Sequence, residues 1–183
     1  MAILIVSIIV ISVIGTIAHF IYELSEHNKI VGLFGSVNES TWEHIKIALT
    51  ATILWSLIDG FIYGPNPNYF LAKLFSLLTV IILMPLLFYG YQFIFKKDNT
   101  VVNILIFYVV IICSQLLFFN LIALKPVNFF WQYLTTIGTF IVFGCYLTLT
   151  LMPLRNFLFK DPITDDYGFK GHFDATTKNE QKK

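Results

Sequence analysis

Apolar positions fall along the chain in five long blocks, near residues 3–22, 45–63, 70–95, 101–122 and 130–152. None of them alternates with the two-residue period of a membrane β-barrel strand. Each holds roughly 19–26 residues, and a helix needs about 20 to cross a hydrocarbon layer of ~30 Å. Backbone polar groups in lipid must be satisfied within the segment, which a helix does. The pattern predicts an all-α integral membrane bundle of about five transmembrane helices over residues 1–154. A polar tail, 155–183, follows, with turn chemistry at Asp161-Pro162-Ile163-Thr164-Asp165-Asp166-Tyr167-Gly168 and a disordered end from Thr176.

The connections are short. Gly64-Pro65-Asn66-Pro67-Asn68 is a tight turn, Lys96-Lys97-Asp98-Asn99 joins the third and fourth blocks, and Lys125-Pro126 joins the fourth and fifth. Pro85 lies inside the third block, where a tilt or kink is expected. No internal repeat is visible, and an odd number of spans disfavours a simple inverted duplication. The first block lacks a basic leader, although Thr16-Ile17-Ala18 resembles a cleavage site; it reads as a retained helix.

Composition agrees with this class. Hydrophobic residues make up 57% of the chain and charged ones 13%, with 19 Phe; a soluble domain carries about 25% charged residues. A net charge of +1 gives no sign of a nucleic-acid partner. Cys113 and Cys145 lie in apolar blocks and read as small buried hydrophobes rather than a disulfide. With the N-terminus outside, Lys29, Lys46, Lys96, Lys97, Arg155, Lys160, Lys170, Lys178, Lys182 and Lys183 lie inside, against Lys73 and Lys125 outside. The positive-inside rule therefore predicts an N-out, C-in protein with a cytoplasmic tail.

Polar chemistry concentrates in Ser36-Val37-Asn38-Glu39-Ser40-Thr41-Trp42-Glu43-His44-Ile45-Lys46, ahead of the second block. Part of it is a helix start. Ser40-x-x-Glu43 is a capping box, in which Ser40 takes a backbone N–H and Glu43 reaches back to Ser40. Trp42 suits a half-wet interface and Lys46 can snorkel. Capping does not require Asn38, a second glutamate or His44. His19 and Glu23 share one face at the end of the first block, at the same depth. His19, Glu23, Asn38, Glu39, Ser40, Glu43 and His44 are thus expected to converge in one cytoplasmic-side pocket. Ionisable groups at this depth usually face a cavity or a partner. Imidazole with carboxylate suits a zinc-like ion, with His19, His44 and Glu39 as the candidate ligands. The same groups suit acid–base work. His44 and Glu43 are adjacent, so on a helix they diverge by about 100°. His27 and His172 fall in polar segments and are weaker third ligands.

A second cluster, Asp59, Lys73 and Gln115, is expected near the opposite surface. Asp59 is about 15 residues, or ~22 Å, from His44. An Asp59–Lys73 pair would either lock the second and third spans together or form half of a polar path. Phe88, Tyr89, Tyr91, Phe93, Phe95, Phe118, Phe119, Phe129, Phe130 and Trp131 read as an interfacial aromatic belt.

The motif Val37-Asn38-Glu39-Ser40-x-Trp42-Glu43-His44-x-Lys46, with His19-Phe20-Ile21-Tyr22, Phe88-Tyr89-Gly90-Tyr91 and the tail's Asp161-Pro162-Ile163-Thr164 and Tyr167-Gly168, resembles a family of small bacterial multi-pass membrane proteins that is a domain of unknown function. Its signature has Pro where this chain has Ser36. The resemblance covers the chain to about Gly168. It implies a bacterial cell membrane and assigns no chemistry. Four functions remain open: a pocket for a small ligand, lipid headgroup or metal; a metal-assisted hydrolase acting on lipid; a small transporter subunit; and a non-catalytic assembly partner using loop and tail. The implied partners are the lipid bilayer and a second copy or another membrane protein.

Overall fold

The computed structural model describes residues 2–96 and 99–171. The expectations at Lys97-Asp98, at His172 and at the Thr176–Lys183 end lie outside them. The described chain is all helical: α1 (Ala2–Leu24), α2 (Thr41–Tyr63), α3 (Tyr69–Phe95), α4 (Thr100–Ile122) and α5 (Phe129–Leu151), with 3₁₀ turns at Val31–Leu33 and Gly168–Gly171. All five α-helices are long and apolar enough to cross a membrane.

Side chains mark where the helices begin. Ser40 Oγ accepts Glu43 N–H at 3.4 Å, Asn99 Oδ1 accepts Val101 N–H at 2.9 Å, and Asn128 Oδ1 accepts Trp131 N–H at 3.1 Å. Each cap occupies an N–H that the helix cannot satisfy itself. α3 runs as a helix through Pro85 and is capped by Lys96, which adopts the left-handed conformation at φ +49°.

α2 is the axis of the bundle. Over half of its most apolar stretch, 56%, is buried, against 17% for α5. Its Ile45, Ala48, Leu49 and Ala51 pack in one core with Ile11 and Ala18 of α1, Leu77 and Val80 of α3, and Val110 and Ile111 of α4. α3 and α4 are pinned by a Ser76–Ser114 hydroxyl contact of 2.7 Å. α5 stands at the edge, so Cys145 is exposed rather than buried, and Cys113 is only half-buried. Phe93, Phe95, Phe129 and Phe130 are exposed, as a belt requires. Phe118 departs from the belt: it is fully buried, with Lys73 Nζ 4.6 Å from its ring centre.

The chain after α5 does not simply leave the bundle. Residues 153–171 fold back as a strap over the start of α2. Leu158 C=O accepts Trp42 N–H at 2.9 Å, and Phe159 stacks on the Trp42 ring at 4.8 Å. An isolated antiparallel bridge joins Lys160 to Tyr167. Trp42 is consequently buried, where an interfacial ring was expected, because the strap supplies the apolar cover.

Candidate functional site

The segment between α1 and α2 lies flush on α1. Ser36 N–H donates to Ala18 C=O at 2.9 Å. A Cβ at Gly35 would stand 2.5 Å from Ile21 Cγ1 and 2.9 Å from the Ala18 carbonyl oxygen, so the approach requires glycine. Asn38 then makes an Asx turn, its Oδ1 accepting Ser40 N–H at 2.9 Å. That bond takes the place expected for Glu43 in a capping box. Glu43 turns inward instead. It accepts Val37 N–H at 2.8 Å and pairs with Lys46 at 2.5 Å, and Lys46 also donates to Gly32 C=O at 2.9 Å. Lys46 therefore does not snorkel: it is 1% exposed and tied to the loop. An isolated buried charge is costly, which is why Glu43 and Lys46 are held together and hydrogen-bonded.

With Glu43 and Ser40 occupied, the remaining polar groups meet around Glu39. Its Oε1 lies 3.7 Å from His19 Nε2 and its Oε2 lies 3.8 Å from His44 Nε2. The two imidazole centres are 5.6 Å apart. The divergence of about 100° between Glu43 and His44 puts His44 on the Glu39 side and Glu43 in the interior.

The protonation pattern follows from the partners. His44 Nδ1 is 3.0 Å from Ser40 C=O, which can only accept, so Nδ1 carries the hydrogen. His44 Nε2 is thus the ring nitrogen turned toward the Glu39 carboxylate. His19 Nδ1 is buried and has no hydrogen-bond partner among the described residues.

A cavity of about 120 Å³ opens beside this group. His19, Glu23, Asn38 and Glu39 line it together with Asp161, Ile163 and Gly171 of the strap. His44 does not line it; His44 borders a much smaller void of about 10 Å³ with Thr41 and Met84. Ser40 and Glu43 line neither. Among the described residues no three His, Cys, Asp or Glu side chains are already gathered as an ion cage.

The strap's contribution was invisible in sequence. Asp161 is 1% exposed, and its Oδ1 accepts Glu39 N–H at 2.9 Å. Gly168 C=O accepts from Asn38 Nδ2 at 2.9 Å. Gly168 has φ +55°, a conformation that favours glycine. The sequence signal was turn chemistry over Asp161–Gly168, which is local: Asp161 Oδ2 accepts Ile163 and Thr164 N–H at 3.1 and 2.6 Å. On the strap's outer surface Asp165 hydrogen-bonds Lys160 at 2.8 Å, and that bond holds the ammonium pKa above the usual lysine range.

At the other end of α2, Asp59 and Lys73 pair at 2.6 Å, and Tyr69 OH donates to Asp59 at 2.8 Å. Gln115 is not hydrogen-bonded to them. Its amide is buried without a partner among the described residues.

A family model described as a family of unknown function, DUF6512, matches residues 2–169. The chain belongs to DUF6512. No curated protein and no solved structure matches it. The DUF6512 match takes in all five helices, the Ser36–Lys46 motif and the strap as far as Phe169, so each wall of the cavity except Gly171 lies within it.

Proposed function

We propose that this DUF6512 protein is a membrane-embedded binding protein for a zinc-like divalent cation, held on the cytoplasmic side by Glu39, His19 and His44. The distribution of basic residues supports that side. The observation that carries the reading is the Glu39 carboxylate facing two imidazole Nε2 atoms at 3.7 and 3.8 Å. Two donors about 2.0 Å from a tetrahedral zinc stand about 3.3 Å apart. Each pair would therefore close by roughly half an ångström around an ion, and the exposed Glu39 side chain has room to move. His44 Nε2 is the ring nitrogen left toward Glu39 because Nδ1 faces the Ser40 carbonyl.

The other readings draw less support. The cavity is well below the ~300 Å³ at which drug-sized pockets begin, so it suits an ion with its waters rather than a lipid substrate. Three protein ligands leave a fourth position for water, which keeps metal-assisted hydrolysis of a small group as the second reading. A transport path would need Asp59 and Lys73 available, and they are locked to each other. A docking role would need a free strap, and Leu158, Asp161 and Gly168 are tied to the chain's own motif.

The test is elemental mass spectrometry on protein purified in mild detergent and supplied with zinc. Near-stoichiometric zinc in the wild type, absent from a folded His19→Ala, His44→Ala double variant and from Glu39→Gln, is expected. No zinc in the wild type, or equal zinc in the variants, would overturn the reading.

A further inference from the structure

Glu39 sits in a loop with no regular hydrogen-bonding ladder, between the end of one helix and the cap of the next. Its side chain is 47% exposed. The direction of its carboxylate therefore depends on how its backbone is held. Asn38 is fixed by Gly168 C=O, and Ser40 N–H by Asn38 Oδ1. The Glu39 N–H itself has one acceptor, Asp161 Oδ1 at 2.9 Å, from a residue 122 positions later.

The two oxygens of Asp161 divide their work. Oδ2 takes the Ile163 N–H, the Thr164 N–H and, at 2.7 Å, the Thr164 hydroxyl. These bonds fold the strap's own turn, and that turn needs only one oxygen. Oδ1 is left for Glu39. A residue that served the strap alone would not need its second oxygen buried against the metal-binding loop. Asp161 also lines the cavity, yet its lone pairs are directed to N–H and O–H donors, so it is not itself in the ligand set.

We propose that Asp161 is the positioning residue of the site: the strap, through this one bond, sets the Glu39 carboxylate between His19 and His44. The inference rests on the cation reading above. It gives residues 158–168 a role in affinity beyond covering Trp42.

Asp161→Asn separates the two duties. The asparagine oxygen goes to the three donors of the turn, which leaves its NH₂ facing the Glu39 N–H, donor against donor. Thr164→Val does the reverse: it weakens the turn and keeps the Glu39 bond. Zinc affinity and amide hydrogen exchange at residues 36–41 are measured for both, alongside thermal stability. Asp161→Asn is expected to weaken zinc binding about tenfold or more, the usual effect of losing an outer-shell partner, and to speed exchange of the Glu39 amide. Thr164→Val is expected to leave both within about twofold even where it lowers the melting temperature as much. Equal affinity in Asp161→Asn and wild type, or parallel losses in the two variants, would overturn the positioning role while leaving the cation reading in place. A wild-type chain that takes no zinc would overturn both.

Discussion

The two ends of α2 each bury a carboxylate against a lysine, and the two ends differ in what surrounds the pair. Asp59 is closed off: Lys73 at 2.6 Å, Tyr69 OH at 2.8 Å, and the Phe118 ring against the ammonium. Glu43 is equally closed, by Lys46 and Val37 N–H. Around Glu43, however, sits a second tier of polar groups that is not closed. Glu39, His19 and His44 are partly exposed and lie within 4 Å of one another through the Glu39 carboxylate, and His19 and Glu39 border a cavity. A buried charge with every bond made holds helices together. Unspent hydrogen-bonding capacity beside a space is what marks a place for a ligand.

Substitutions at the lysines put that contrast to the test. Lys46→Met strands Glu43 in the interior and frees Gly32 C=O, and a loss of about 3–5 kcal/mol is expected. Against a total stability of about 5–15 kcal/mol, much of the folded population would be at risk. Thermal unfolding in detergent reads the loss, and zinc uptake should fall with it, because the same loop carries Glu39. Lys73→Met should lower stability by a similar amount and leave zinc uptake unchanged in the protein that remains folded. Loss of zinc binding in folded Lys73→Met would erase the distinction between the ends. A smaller effect is expected when both partners at the closed end go together. Asp59→Leu with Lys73→Met should recover stability to within about 1–2 kcal/mol of wild type, since no charge is left unpaired. A double variant as unstable as the single one would show that Asp59 does more than balance a lysine. The smallest change belongs to Lys160→Ala on the strap surface, where solvent screens the exposed Asp165 pair and the melting temperature should stay close to wild type. A melting temperature well below wild type would mean the strap depends on that surface contact.

What the sequence disclosed, and what it hid, follows the reach of each signal. The five helices were legible because lipid forces each crossing segment to be apolar and helical within itself. The α2 start was legible from Ser40, and the approach of His19 to His44 from their place at the end of one apolar block and the start of the next. Glu43 and Lys46 were misjudged because the capping-box pattern is satisfied by Asn38 instead, which releases Glu43 to neutralise a lysine three residues on. Trp42 and Asp161 were out of reach for a different reason. Their partners lie more than a hundred residues away, and a single chain carries no local mark of that pairing. Asp161-Pro162-Ile163-Thr164 announced a turn and nothing about what the turn rests on.

The strap also fixes an order of events during synthesis. The ribosome makes Glu39 and Trp42 long before Leu158 and Asp161. While the first four helices are being inserted, the backbone amides of Glu39 and Trp42 have no strap to receive them, and the Trp42 ring lacks its cover. Only after α5 has crossed and the chain has turned back do these groups find their acceptors. The candidate site, though its proposed ligands precede α3, is therefore finished only after α5, and a chain truncated after α5 would carry every proposed ligand without the strap's bonds to Glu39 and Trp42.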